Sequence, residues 1–264
     1  MLSPKAVHGP FEPAERHAGK YEGEDPDLYF HPDPDKVDQR VFPEGSDYRY
    51  QRENVLDYYR CLSAVDESVG AVDEALARTG HADDTIVIYT SDNGFMLGEH
   101  GGMWDKRKPY EPSIRIPMIV RWPEEVAGGA VNREMVLNID VMPSLLEAVG
   151  AEVPDAVQGR SWWPVLEGEE GRDAWLYEFF LNDRSRGAVA AVRTRRWKYI
   201  VPLSIRGERD RTKPLELYDL EADPGEERNL ADDPGHGEIL ALLQHRFEEL
   251  QAEYGAVRRR KGRR

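Results

Sequence analysis

The amino-acid sequence predicts an α/β domain followed by a small α+β appendage. In the first part, an amphipathic helical pattern that starts at Asn54 leads into a short buried strand at residues 85–90. A helix followed by a buried strand is the order of elements that is typical of an α/β sheet. In the last third, consecutive strand patterns precede one amphipathic helix, which is typical of an α+β unit. The chain has 264 residues, 40% of them hydrophobic, which suffices for one large domain with an appendage and excludes general disorder.

The first helix is predicted from apolar residues that recur at spacings of three and four. Asn54 is placed to cap its start, and Gly80 follows its end. The apolar positions are Val55, Tyr58, Leu62, Val65, Val69, Val72 and Leu76. Residues 85–90 are short, apolar and β-branched, which favours a buried strand in a parallel arrangement.

Two further elements complete the α/β part. Residues 116–122 predict a second apolar strand, which Pro123 ends. Residues 140–149 predict a helix that ends at Gly150. The face that we expect to point inward carries Met142, Leu145, Leu146 and Val149.

The appendage is predicted as an antiparallel sheet with a helix packed on one face. Its strands are expected at residues 188–193, 197–201 and 215–219, and its helix at residues 238–254. A shift in composition after about Gly171 sets the domain boundaries. We therefore predict an α/β part at residues 1–171, an appendage at 172–255 and a basic tail at 256–264.

Charge and cysteine content exclude several classes of function. The chain has 50 acidic and 35 basic residues, a formal charge of −15, so nucleic acid is not expected as a partner. No apolar run approaches the ~20 residues of a membrane span. The beginning of the chain carries no apolar stretch that resembles a secretory signal, and the localisation stays undetermined. The single cysteine, Cys61, excludes an internal disulfide and is expected to be a half-buried helix residue.

The candidate chemistry begins at the end of the first predicted strand. There, Asp92 and Asn93 place a carboxylate beside an amide, and such hard oxygen ligands suit Ca²⁺ or Mg²⁺. Open α/β sheets usually place ligands at this end of a strand, although Asp-Asn-Gly is also a common turn. A dense polar and glycine-rich run then fills the chain up to Pro117, between two buried strands. Such a run is typical of a functional loop.

Residues 90–117 resemble the metal-and-lysine segment of the sulfatase family, which belongs to the alkaline-phosphatase superfamily. Residues 5–16 are similar to the family's His-x-Pro loop. Stretches at 138–144, 158–161 and 216–230 are similar to its later helix, loop and C-terminal subdomain, so the resemblance runs in family order from about residue 3 to 254. It implies an alkaline-phosphatase-type α/β sandwich, incomplete at its N-terminal side, with a small C-terminal α+β subdomain.

The resemblance assigns roles to individual residues. Asp92 and Asn93 would ligate a divalent cation, calcium as usual in the family or magnesium. Lys106 would hold the sulfate group, and His8 would hydrogen-bond the sulfate or the leaving oxygen. Such groups stabilise the negative charge that gathers on an ester under attack.

Two assignments within this segment carry alternatives. Lys106 is favoured over Lys108 as the sulfate ligand, because the family's pattern is Asp-Lys-Arg and Pro109 follows Lys108. His100 could contact the substrate or could orient the loop.

The sequence departs from the family at the nucleophile. Family members attack with a formylglycine made from Cys or Ser within Cys/Ser-x-Pro-x-Arg, and neither Cys61 nor any serine of this chain fits that motif. The acidic pair that supplies the family's other metal ligands, early in its sequence, is also absent here. We therefore expect the formylglycine in a missing upstream part, and a complementary N-terminal fragment is a candidate partner.

The activity implied by the resemblance is hydrolysis of sulfate monoesters of a small molecule or carbohydrate, with this chain alone inactive. One alternative is a phosphoester or phosphonate-ester hydrolase of the same superfamily. The other is a non-catalytic protein that keeps only the anion pocket.

Overall fold

The chain divides into two compact units that alternate along the sequence. The structure is a computed structural model that describes residues 1–30, 49–180, 188–204 and 207–254. The first unit comprises residues 1–106 and 115–130, and the second comprises 107–114 and 131–264. The basic tail at 256–264 lies outside the described residues, and the boundary expected after residue 171 stays a prediction.

The first unit is built on one long helix and two short strands. Helix α1 ends where the sequence predicts, because Gly80 adopts a φ of +76° and the amide of His81 donates to the carbonyl of Leu76 over 2.9 Å. The predicted start at Asn54 is wrong, since the helix already runs there and the Asn54 side chain donates to the carbonyl of Tyr50. Polar helix formers before Asn54 lack the apolar period that marks the rest. The elements are α1 (Arg49–Thr79), β1 (Val87–Thr90), the single turn α2 (Glu99–Gly102) and β2 (Met118–Arg121).

Strands β1 and β2 pair antiparallel, with Val87 opposite Arg121 and Thr90 opposite Met118. The expected parallel arrangement of residues 85–90 is therefore wrong. An apolar run reports burial but not the direction of the neighbouring strand, which tertiary packing decides. The burial itself is incomplete, because Ile119 is 62% exposed.

Cys61 lies on the buried face of α1. It is a free thiol that is 6% exposed, and burial raises its pKa. The residue therefore behaves as a small apolar side chain rather than a reactive thiol.

The second unit contains the predicted antiparallel sheet, extended by one strand. Four strands pair in chain order. The three predicted strands, at residues 188–193, 197–201 and 215–219, are confirmed with small shifts in their ends. Sequence patterns missed strand β3, which pairs along all six of its residues with β4. The elements are α3 (Glu111–Ile114), α4 (Val141–Ala148), α5 (Trp163–Leu166), β3 (Ala174–Phe179), β4 (Ala188–Thr194), β5 (Trp197–Leu203), β6 (Glu216–Asp219) and α6 (Gly237–Tyr254).

Helix α6 packs on one face of this sheet, as predicted. Leu243, Phe247 and Leu250 are buried in a cluster with sheet residues such as Val192 and Leu217. Their spacing of four and three along α6 produces the apolar stripe that the sequence displays. This cluster forms the core of the second unit.

The predicted inner face of helix α4 is largely exposed. Met142 is 51% exposed, Leu145 37% and Val149 74%. The prediction of a buried face is wrong for these described residues, because their apolar character does not decide what covers them. None of the helices in the described part of the chain is long and apolar enough to cross a membrane.

A buried lysine connects the sheet of the second unit to its helix α3. Lys198 on β5 is fully buried and lies 2.5 Å from a carboxylate oxygen of Glu226 and 2.8 Å from one of Glu111. Burial raises the pKa of Glu226. Burial acts in the same direction on Glu111, but Lys198 and Arg193 outweigh it there and lower the pKa of that carboxyl. The group is thus a paired buried ion cluster.

Replacing Lys198 with methionine should leave two buried carboxylates without their ammonium. We expect K198M to lower the free energy of unfolding by about 3–5 kcal/mol in urea titrations. The matched control is K213M, since Lys213 is 48% exposed and 4.0 Å from Asp210, and it should change stability by less than about 1 kcal/mol. Equal effects of the two substitutions would contradict a structural role for the buried cluster.

Candidate functional site

Four aromatic rings pack together in the first unit. Phe11, Phe95 and Trp104 meet edge to face, with centroids 6.3 Å apart for Phe11–Phe95, 6.0 Å for Phe11–Trp104 and 5.4 Å for Phe95–Trp104. Tyr58 of α1 joins them, 5.7 Å from Phe11 and 6.3 Å from Phe95. These are favourable geometries for aromatic pairs. We call these four residues the aromatic cluster.

The aromatic cluster connects the three segments that carry the predicted site residues. Phe11 lies three positions after His8, Phe95 two positions after Asn93, and Trp104 two positions before Lys106. Sequence reasoning missed this cluster. The available signal was an aromatic residue within three positions of each candidate.

The loop between Phe95 and Lys106 folds back on itself. The amide of Met96 donates to the carbonyl of Asp105, and that of Gly98 donates to the carbonyl of Met103, each over 2.9 Å. Its turn requires left-handed backbone at Gly101 (φ +84°), and His100 shares that conformation at φ +53°. A non-glycine residue held there costs about 1–3 kcal/mol and is typical of functional loops. Whether His100 contacts the substrate or orients the loop stays open.

Local hydrogen bonds orient the two predicted metal ligands. The Asp92 carboxylate is exposed, and its Oδ1 accepts from the amide of Asn93 over 2.9 Å. The Asn93 side chain donates its Nδ2 to the carbonyl of Gly94 over 2.8 Å, and Ser91 Oγ donates to the carbonyl of Asn93. The carboxylate can still bind a cation through both of its oxygens, so together with the amide oxygen of Asn93 the pair offers at most about three.

This donor set fits part of a calcium or magnesium site. Both oxygens are hard donors, as these cations require, but calcium takes roughly 6–8 of them. Within the described ranges, no group of three or more His, Cys, Asp or Glu side chains lies close enough to hold a metal. Asp92 and Asn93 therefore suit a cation only together with further ligands.

Lys106 is half-buried, and in the described part of the chain its ammonium makes neither an ion pair nor a hydrogen bond. Lys108, by contrast, has an interaction partner. In a chain of charge −15, an ammonium without a carboxylate partner can receive an outside anion. This difference between the two lysines agrees with the preference for Lys106.

His8 is exposed, and its Nδ1 lies 2.8 Å from the carbonyl oxygen of Gly9. A proton on Nδ1 would be donated to that carbonyl, so Nε2 could donate to an anion only when the ring is protonated. Among the described contacts, none joins Asp92, Lys106 and His8 directly. Their convergence on one pocket stays a prediction.

An ion pair fixes the chain that follows His8 to helix α1. Arg16 Nε and His17 Nε2 lie 2.6 Å and 3.0 Å from the same oxygen of Glu67. The hydrogen bonds from Arg16 and then His17 lower the pKa of Glu67 to about 2. The N-terminal segment thus has one polar and one aromatic attachment to α1.

Comparisons with known proteins bear on the family and the fold of the chain. Residues 1–151 match the sequence model of the family described as Sulfatase, and residues 98–253 match that of N-sulphoglucosamine sulphohydrolase, C-terminal. The N-acetylglucosamine-6-O-sulfatase of Bacteroides thetaiotaomicron is 34% identical over 214 residues, which are 78% of this chain and 37% of that protein. The chain thus spans little more than a third of this relative.

Solved structures share the fold over most of the chain. A sulfatase structure from Bacteroides fragilis is 28% identical, with a TM-score of 0.78 over 93% of this chain and 52% of that one. The phosphonate monoester hydrolase of Agrobacterium radiobacter is 29% identical, with a TM-score of 0.67 over 79% of this chain and 44% of that one. The predicted alkaline-phosphatase-type α/β fold is confirmed.

Truncating Phe11 should loosen the loop that carries Lys106, because Phe95 and Trp104 lose a shared ring partner. We expect F11A to lower the free energy of unfolding of the first unit by about 3–5 kcal/mol. Hydrogen exchange at the amides of Met96 and Gly98 should accelerate. In F180A, which removes a ring that is 41% exposed, both observables should stay near wild type. Unchanged exchange in F11A would contradict the anchoring role.

The Glu67 contacts should give a stability difference that depends on pH. The pKa of Glu67 is lower in the folded state, so its contribution is complete above the unfolded pKa of about 4.3 and is lost as the pH falls toward 2. The difference in unfolding free energy between wild type and E67Q should therefore be constant near pH 6 and shrink below about pH 4.3. E74Q, on the same helix, should show no such trend. A gap between wild type and E67Q that is constant down to pH 2 would argue against these contacts.

Proposed function

Because this chain belongs to the sulfatase family, we propose that it supplies part of the active site of a sulfuric ester hydrolase. The observation that carries the proposal is the aromatic cluster, since it connects the segments of His8, Asn93 and Lys106. The family assignment supports it, because the Sulfatase match covers residues 1–151 and contains all three segments.

In the proposed site, Lys106 binds the sulfate group. Its ammonium has no ion-pair partner among the described residues, so an incoming sulfate oxygen would not compete with a carboxylate of the chain. His8 donates a hydrogen bond to the sulfate or the leaving oxygen when its ring is protonated. His100 contacts the substrate or holds the turn in which it lies.

Asp92 and Asn93 would hold a divalent cation, calcium or alternatively magnesium. When bound, the cation would stabilise the negative charge that gathers on the ester oxygens. The side chains supply at most about three of the required oxygens, so the remaining ligands must come from outside this pair.

The nucleophile of the proposed reaction is a formylglycine outside this chain. No Cys or Ser of the sequence lies in the family's modification motif, and Cys61 is buried with a raised pKa. We therefore propose a complementary N-terminal part, in the same or another polypeptide, that brings the nucleophile and the other metal ligands.

The proposed substrate is a sulfated carbohydrate or a sulfated small molecule. The relative from B. thetaiotaomicron is a sulfatase of N-acetylglucosamine, which supports a sugar. The likeness to a phosphonate monoester hydrolase favours one alternative, a phosphonate ester. A phosphate monoester carries more negative charge near neutral pH than a sulfate monoester, whereas a phosphonate monoester carries the same single charge. Turnover of paired aryl sulfate, phosphate and phosphonate esters by the completed enzyme separates these classes. An anion-binding protein without catalysis would turn over none of these esters.

Removing the Lys106 ammonium should weaken the affinity of the chain for sulfate. We expect K106A to weaken binding of sodium sulfate about tenfold or more, as loss of a charged hydrogen bond does, measured by isothermal titration or NMR. K108A is the matched control and should leave the dissociation constant unchanged. A larger loss in K108A than in K106A would transfer the proposed role to Lys108.

The chain alone should not hydrolyse an aryl sulfate, even with added calcium. It lacks the activated nucleophile that covalent catalysis needs, and its two ligands should bind calcium only at about millimolar strength or weaker. Activity should appear once the family's missing part is restored. Turnover by the chain alone that K106A abolishes would mean that another nucleophile exists.

A further inference from the structure

Three tyrosine side chains form a patch on the surface of the first unit. The ring centroids of Tyr29 and Tyr59 lie 4.9 Å apart, and Tyr21 lies 5.9 Å from Tyr29 and 6.1 Å from Tyr59. All three side chains are half-buried, so part of each ring faces solvent. Within the described ranges, none of their hydroxyl groups has a hydrogen-bond partner. We call these three residues the tyrosine patch.

The loop that carries the first tyrosine of the patch is fixed on helix α1. Arg60 Nε donates to the carbonyl of Lys20 over 2.7 Å. Arg52 forms an ion pair with Asp27 at 2.9 Å. Between these attachments, Tyr21 is held in left-handed backbone at a φ of +61°, a conformation that is rare for a bulky residue and typical of ligand clamps. The patch is therefore preorganised, which lowers the entropic cost of binding.

The tyrosine patch packs on the same core as the segment that carries Lys106. Its rings and Trp104 contact a small buried cluster that contains Phe30, and the centroids of Phe30 and Trp104 are 5.8 Å apart. Trp104 is two positions before Lys106. Tyr59 also lies 5.4 Å from Tyr58 of the aromatic cluster. One extended ligand could therefore contact both the lysine and the patch.

The charge beside the patch disfavours an anion there. Glu22 and Glu24 are exposed on the loop that follows Tyr21. Burial raises the pKa of the Tyr29 phenol, and the nearby charge of Glu24 adds to that effect. Carboxylates repel a sulfate group but accept hydrogen bonds from hydroxyl groups. The patch thus combines apolar ring faces with phenol and carboxylate groups that suit a neutral, hydroxyl-rich ligand.

We propose that the tyrosine patch binds an uncharged sugar ring next to the sulfated part of the substrate. The C–H groups of a sugar carry a slight positive charge, which the negative face of an aromatic ring attracts, and the sugar hydroxyls can pair with the phenol groups. The inference rests on the proposed function. It narrows the proposed substrate from any sulfated carbohydrate or small molecule to a glycan in which an unsulfated sugar neighbours the sulfated one.

NMR titration of the full chain tests the proposal. The probes are N,N′-diacetylchitobiose, an uncharged disaccharide, and sodium sulfate. We expect the disaccharide to shift the ring resonances of Tyr29 and Tyr59 until they saturate, because it contacts these rings directly. Sodium sulfate should leave these resonances unchanged, since the patch attracts no anion.

Substitutions then assign the binding to the patch. Y29A should weaken the affinity for the disaccharide about fivefold or more, as loss of an aromatic contact does. Y29F should weaken it less, because the ring remains and only the hydroxyl is lost. The matched control is Y50A, since Tyr50 also contacts the solvent beside α1, is 59% exposed and lies outside the patch. It should leave the dissociation constant unchanged.

The wild-type titration decides the proposal even if Y29A fails to fold. Tyrosine resonances that do not respond to the disaccharide, or that respond more strongly to sodium sulfate, would overturn it. Equal losses of affinity in Y29A and Y50A would overturn it as well.

The variant K106A separates this inference from the proposed function. It should lose sulfate binding and keep its affinity for the uncharged disaccharide. Sulfate binding by a chain whose tyrosines do not respond to the sugar would overturn the sugar site alone. Sugar binding at the patch by a chain that never binds sulfate would overturn the proposed sulfate site alone.

Discussion

The packing of Phe11, Phe95 and Trp104 is the constraint on which the candidate site depends. His8, Asn93 and Lys106 all lie on segments outside the helices and strands, so no ladder of backbone hydrogen bonds fixes them to one another. Three rings in edge-to-face contact, supported by Tyr58 of α1, supply that fixed reference instead. Rigid aromatic contacts lose little side-chain entropy, which suits them to holding loops that must also accept a ligand.

The second unit is stabilised by a different kind of interaction. Its sheet and α6 share a conventional apolar core, but the link from the sheet to Glu111 is ionic and buried. Compared with apolar packing, a buried ion pair contributes little net stability, but an arrangement that separates its partners leaves a buried charge unpaired. Separating Glu111 from Lys198 would therefore be costly.

Much of the fold could be predicted because local patterns and tertiary packing agree there. Strands β4 and β5 are nearly continuous apolar runs that are buried on both faces, and helix α6 buries the apolar stripe that its sequence marks. Prediction failed where a partner decides the outcome, as in the direction of β1 and the exposure of α4. The site residues came from the family resemblance rather than from periodicity. Their mutual geometry depends on aromatic contacts across distant segments, which no local pattern contains.

The interleaving of the two units has a consequence for how the chain can be handled and how it folds. The first unit is interrupted after Lys106 by eight residues that belong to the second unit, and it resumes at Arg115. No single cut can then separate the units. A cut after Lys106 would divide residues 115–130 from the rest of the first unit, and a cut after residue 130 would divide Glu111 from Arg193, its partner 82 residues later. Contacts so distant in sequence close large loops, so they form late and slowly. Translation must reach Lys198, 87 residues beyond Glu111, before Glu111 can pair with both Arg193 and Lys198.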